Sequence, residues 1–170
     1  MLNAYLKEVD KHVIAESTNL SGTKYASHIF NVKASEDIDN GKLVNLDDMK
    51  YEKNEYYTMV KPTATSRVGL ILSVAVGPDE KPAAATSEYN FYNGKDEIMR
   101  VYELARGDRF TLSANGFTGE PQVGKLVEAD NHDIKIVDGA TSTNAFYGEI
   151  IEKITRTNGV FYKVLVRKNG

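Results

Sequence analysis

The sequence predicts an all-β protein: an antiparallel sandwich or barrel-like domain with hairpins, plus an N-terminal arm or short helix. Three observations predict it. Short runs rich in Val, Ile, Thr, Tyr and Phe alternate with turn residues along most of the chain. Asn-Gly occurs five times, at Asn40-Gly41, Asn93-Gly94, Asn115-Gly116, Asn158-Gly159 and Asn169-Gly170, and the pair favours hairpin turns because both residues tolerate positive φ. Helical spacing of apolar residues appears only at the start, over Leu2, Leu6, Val9 and Val13. With 170 residues the chain is domain-sized and needs no covalent staple to fold. It has no cysteine, which excludes disulfides, thiolate metal sites and a cysteine nucleophile.

Taken in order, residues 1–26 read as an arm and 27–170 as the β-rich domain. A helix so short is marginal alone in water, so the arm reads equally as an extended segment that orders on a partner. Strands are expected at 27–33, 41–46 and 56–61. The run 68–76 is apolar on both faces and reads as a central strand. Residues 77–87 form a long loop of the functional or mobile kind, with a small subdomain conceivable around 77–96. Strands follow at 97–104 and 109–113, with Phe110 and Leu112 inward and Thr111 and Ser113 outward; Arg106-Gly107-Asp108 is their turn. Short strands at 125–129 and 134–137 are joined by Asp130-Asn131-His132-Asp133. The clearest unit is the C-terminal hairpin, 146–156 and 160–167, turning on Asn158-Gly159. A two-residue turn there pairs Thr157 with Val160, Thr155 with Tyr162, Lys153 with Val164 and Ile151 with Val166. Gly41-Lys42-Leu43-Val44 recurs as Gly124-Lys125-Leu126-Val127, which reads as two strands that each begin after a glycine turn.

Charge and motifs narrow the function. The 21 basic and 24 acidic residues give a net charge of −3 without a basic cluster, which argues against nucleic-acid binding. The longest apolar run, 68–76, is too short for a membrane helix of about 20 residues, and the N-terminus lacks the apolar core of a signal peptide. The expectation is synthesis in the cytoplasm, with no membrane and no nucleic-acid partner. No nucleophile elbow, phosphate loop, dinucleotide fingerprint or zinc-protease motif occurs. His12, His28 and His132 are scattered. Asp130 to Asp133, or Asp37, Asp39, Asp47 and Asp48, could offer cation ligands, but Asp and Asn serve tight turns for backbone reasons. Carboxylates alone nominate no glycosidase pair. Tyr51, Tyr56, Tyr57, Tyr89, Tyr92 and Tyr102 cluster in the middle of the chain, which fits either a protein interface or ordinary strand usage. No catalytic residue, cofactor or metal site is expected.

The stretch from Ile98-Met99-Arg100-Val101-Tyr102-Glu103-Leu104 through Arg106-Gly107-Asp108-Arg109-Phe110-Thr111-Leu112 to Asn115-Gly116-Phe117-Thr118-Gly119 resembles the capsid decoration (cement, or head-stabilisation) proteins of tailed bacteriophages. Val123-Gly124-Lys125-Leu126-Val127, Ala145-Phe146-Tyr147-Gly148-Glu149-Ile150-Ile151 and Asp39-Asn40-Gly41-Lys42-Leu43-Val44 continue the likeness, which covers residues 27–167. The resemblance implies a non-enzymatic virion protein on the capsid exterior. Its partner would be the major capsid protein of a phage head. It would be a homo-oligomer, a trimer suiting a three-fold lattice site. In that family a terminal arm joins the capsid sheet by strand addition, which here nominates Leu2, Tyr5, Leu6 and Val9 as anchors. The alternative is a carbohydrate- or receptor-binding β module of a phage or bacterium, which a concave strip of exposed tyrosines would favour.

Overall fold

The computed structural model describes residues 12–74 and 91–170. Among them are thirteen strands: β1 Ala15–Asn19, β2 Ile29–Lys33, β3 Leu43–Asn45, β4 Tyr51–Glu52, β5 Tyr56–Thr58, β6 Val68–Ile71, β7 Ile98–Glu103, β8 Arg109–Ser113, β9 Phe117–Thr118, β10 Leu126–Asp130, β11 Asp133–Val137, β12 Phe146–Arg156 and β13 Gly159–Asn169. They form a seven-stranded sheet, β1-β8-β13-β12-β10-β11-β9, and a six-stranded sheet, β3-β6-β7-β2-β5-β4. The expected all-β class is the one the chain adopts.

Each sheet contains the same four-strand Greek key. In the first half, β2, β3, β6 and β7 lie in the order β3-β6-β7-β2; in the second, β8, β10, β12 and β13 lie in the order β10-β12-β13-β8. All six neighbouring pairs are antiparallel. The registers coincide as well. Val44 sits opposite Gly69, and Val127 opposite Gly148. Val101 lies between Ile71 and Phe30, and Val164 between Ile150 and Phe110. Even the strand entries match bond for bond. Gly41 N–H donates to the Ile71 carbonyl at 2.8 Å and Ile71 N–H to the Lys42 carbonyl at 2.9 Å; Gly124, Ile150 and Lys125 repeat both bonds at 2.8 and 2.9 Å. Gly41 and Gly124 hold φ of 82° and 91°, a region where a side chain is strained. The recurring Gly-Lys-Leu-Val therefore marks equivalent positions of a structural duplication, not merely two strands that follow glycine turns.

The two units stack front to back. The front face of the second unit, including Phe110, Leu112, Val127, Ile150 and Val164, meets the back face of the first, Leu43, Val68 and Leu70, in the main core. The first unit's own front face, Val32, Val44, Ile71, Met99 and Val101, forms a second core with Phe30, Met49, Tyr57 and Met59 against it. The back face of the second unit carries Arg109 and Glu149 at the positions where the first carries Ile29 and Leu70, and Glu149 pairs with Arg167. In that row two of the four positions change from apolar to charged, while Leu126 and Leu165 stay apolar and half-buried at the positions of Leu43 and Tyr102. The β10–β11 turn clasps the units together: Leu43 N–H donates to the His132 carbonyl at 2.8 Å, and His132 Nδ1–H returns a bond to the Leu43 carbonyl at 2.7 Å.

Four expectations are corrected. The arm does not extend to residue 26: Val13, Ile14 and Leu20 are buried, and β1 pairs with β8. The Ala-Glu-Ser-Thr-Asn strand carries no apolar alternation, so its sequence gives no strand signal. For the same reason Thr111 and Ser113 are buried rather than outward. They meet the N-terminal segment, through Thr18 Oγ1 at 2.8 Å from Thr111 Oγ1 and Ile14 N–H donating to Ser113 Oγ at 2.9 Å. The C-terminal hairpin turns on Thr157-Asn158, so that Arg156 pairs with Gly159 and Ile154 with Phe161. This register puts Phe161, Ile154 and Ile14 in one apolar cluster, with the Arg156 guanidinium 4.5 Å over the Phe161 ring; the expected register would have set Phe161 opposite Arg156. Finally, no described Asn-Gly pair forms a type I′ turn, since none of these asparagines has positive φ. Asn40 and Asn93 are instead buried and bonded to each other and to main-chain groups of Ile38 and Ser73. The type I′ geometry falls on Lys53-Asn54, at φ of 52° and 57°, between β4 and β5.

Candidate interaction surfaces

The nominated anchors Leu2, Tyr5, Leu6 and Val9 lie outside the described residues. The chain leads from His12 through the buried Val13 and Ile14 straight into β1, the rim strand of the seven-stranded sheet. Ser113 N–H donates to the Ile14 carbonyl at 2.9 Å. Main-chain groups alternate along an antiparallel ladder, so those of Ala15 and Ser17 point away from β8, at the edge of the sheet. Ser17, Thr18 and Asn19 are exposed. Glu16, at the same edge, is held by Arg156 at 2.6 Å.

The acidic and histidine residues are taken up locally. His12 Nδ1 lies 2.7 Å from Asp39, and His28 Nδ1 lies 2.8 Å from Glu103. Asp133 pairs with Lys42, and Asp130 with Lys135. Asp48 accepts from the Asn45 amide, and Asp37 from the Lys95 N–H. Among the described residues no group of three or more His, Asp or Glu is placed to hold a metal ion. Asp47 binds both the main-chain N–H and the Nε of Arg67, at 2.7 and 2.8 Å. Those bonds hold its carboxyl below the usual carboxylate range, the main-chain bond contributing most. Arg106-Gly107-Asp108 is the expected β7–β8 turn, with Gly107 at φ 93°. Asp108 is buried and accepts from Ser21 and from the Ala105 N–H, so the tripeptide does not present its carboxylate.

The tyrosines divide by place. Tyr56 is buried, with Lys33 Nζ 5.4 Å from its ring centroid, and Tyr102 packs against the main core. Tyr92 stacks on His12 with centroids 5.0 Å apart, and Tyr89 lies outside the described residues. Tyr51 and Tyr57 face each other across β4 and β5, with centroids 4.9 Å apart and planes at 46°. Phe30 meets Tyr57 edge-on at 5.5 Å. These three rings, with Ser27, Asn31 and Glu55, line a groove of about 280 Å³. The clustering of tyrosines in the sequence was the signal for Tyr51 and Tyr57. Phe30 and Asn31 carried none, because only the parallel pairing of β2 with β5 brings them alongside.

No family model, curated protein or solved structure matches this chain. Among the described residues no helix is long and apolar enough to cross a membrane.

Proposed function

We propose that the protein is a non-catalytic structural protein that binds the outer surface of a phage capsid, as a homo-oligomer, and stabilises the shell. The reading rests on the decoration-protein resemblance. The observation that supports it is the position of β1, the rim strand into which the N-terminal segment leads, with main-chain groups of Ala15 and Ser17 at the open edge of the sheet. Strand addition by such a segment draws on main-chain hydrogen bonds, and many copies on one lattice raise the effective concentration of each weak contact.

The test is co-sedimentation with undecorated phage shells, comparing the full chain with a variant lacking residues 2–10. The deletion stops short of Val13, the first buried core residue, so the variant is expected to keep its circular dichroism spectrum and thermal midpoint. The full chain should saturate the shells at a fixed copy number per lattice site, and the deletion should abolish that binding. Undiminished binding by the variant removes the anchoring role of Leu2, Tyr5, Leu6 and Val9. Shells left bare by the full chain remove the decoration reading itself.

A further inference from the structure

We infer that the groove between β2 and the β4–β5 hairpin is a binding site for a neutral carbohydrate, with Tyr51 and Tyr57 as its stacking walls. A pyranose has an apolar face of C–H groups and a rim of hydroxyls. A site for it needs an aromatic surface left open to solvent and, around that surface, polar groups not already engaged. The groove has both.

Exposed aromatic surface is concentrated here. Tyr25 and Tyr51 are 59% and 55% exposed, more than any other aromatic among the described residues. Tyr51 belongs to the groove, and Tyr25 immediately precedes Ala26, which also lines it. The 46° tilt between Tyr51 and Tyr57 opens a wedge rather than a closed stack, and Phe30 backs Tyr57 edge-on at 5.5 Å, fixing its ring. Both walls stand on hydrogen-bonded strands, and the tight Lys53-Asn54 turn sets their spacing. The wedge is therefore formed before a ligand arrives, which limits the ordering cost of binding.

The polar groups are equally telling. The side chains of Ser27, Asn31 and Glu55 and the hydroxyls of Tyr51 and Tyr57 line the groove, and none of them makes a hydrogen bond or ion pair with another described residue. This contrasts with the polar side chains around Asp108, Asn45 and Asn40, which are bonded within the fold. A hydroxyl, an amide and a carboxylate beside an aromatic wall match the vicinal hydroxyls of a sugar, which donate and accept in close pairs. The Glu55 carboxylate accepts from such hydroxyls and repels acidic sugars, so the ligand is a neutral hexose or N-acetylhexosamine unit. A proline-rich peptide would use the rings but leave that carboxylate unserved.

The experiment uses the full chain on an array of neutral and acidic oligosaccharides, followed by titration of the best neutral oligosaccharide. Titration calorimetry reads the binding, because the ten tyrosines of the chain emit together and only two of them line the groove. Saturable binding to neutral glycans is expected. Tyr51→Ala should weaken it about tenfold, Tyr51→Phe much less, since the ring supplies the stacking. Glu55→Gln should narrow the preference for neutral over acidic glycans. Tyr51 is mostly exposed, so all three variants are expected to fold, which their circular dichroism verifies. Absence of saturable binding overturns the inference. So does binding that Tyr51→Ala leaves unchanged, or preferential saturation by a proline-rich peptide assayed alongside. The groove lies apart from the N-terminal rim, and the outcome is independent of capsid attachment.

Discussion

At the scale of single residues, the polar side chains of this protein act chiefly as local fasteners. Arg67 bridges Asp47 and Glu103, and Glu103 also receives His28. Asp47 is the group whose titration should be felt in stability. Its carboxyl is held below the ordinary value of 3.8 by bonds from Arg67. A depressed carboxylate contributes stability that is complete above the unfolded-state value and is lost as the pH falls through the folded-state one. Stability should therefore decline below pH about 4 through this group. Asp47→Asn should remove that part of the acid slope while costing about 0.2–1 kcal/mol at neutral pH, the scale of a solvent-exposed pair. Urea unfolding of both proteins across pH 2–7 checks it; identical acid slopes would show that the Arg67 contacts do not persist in solution. Such fasteners were hardly legible in the sequence. Asp47 and Asp48 stood out as acids, but their partners are Arg67 and the Asn45 amide, and only the fold determines which basic group an acid meets.

At the scale of elements, strand identity was legible and strand pairing only partly so. Alternation and β-branched composition located β6, β8, β10, β12 and β13, because those strands bury an apolar face. β1 and β4 were not found, since both have largely polar or exposed side chains and are held by backbone pairing. Asn158-Gly159 favours a turn of its own, but the burial of Phe161 beside Ile154 and Ile14 sets the hairpin register one residue earlier. Gly69 and Gly148 show what pairing demands. A Cβ on Gly69 would lie 2.5 Å from Val101 Cγ1, and one on Gly148 would lie 2.9 Å from Val164 Cγ1, the equivalent valine. Gly69→Ala and Gly148→Ala should each destabilise the protein by about 1–3 kcal/mol through overpacking. Val101→Ala added to Gly69→Ala should restore part of the loss. Thermal melts of the wild type, Gly69→Ala, Gly148→Ala, Val101→Ala and the double variant test this; additive losses in the double variant would mean the valine is not the obstacle.

At the scale of the whole molecule, the all-β class followed from composition and rhythm, whereas the duplication did not follow from one repeated tetrapeptide. What the two units share is register and hydrogen bonding, which constrain side-chain size at a few positions and leave the others free to diverge. The main core draws on both units, and the second core belongs to the first unit alone, so the second unit has no interior without the first. Unfolding should be a single cooperative transition, with circular dichroism and tyrosine fluorescence giving coincident midpoints. Two separated transitions would show that the units are energetically independent. The aromatic groove was only half legible, since it needs the parallel contact of β2 with β5, a pairing between segments whose sequences give no sign of adjacency.

The front-to-back order of the two units has a further consequence. Units that face each other close their interface, whereas units stacked in one direction leave a surface that the next copy could use, and heterologous contacts of that kind grow into fibres. Arg109 and Glu149 terminate the series chemically: they replace Ile29 and Leu70 on the face where another layer would dock. A further layer docking there would have to desolvate both charges, a cost that an apolar row would not impose.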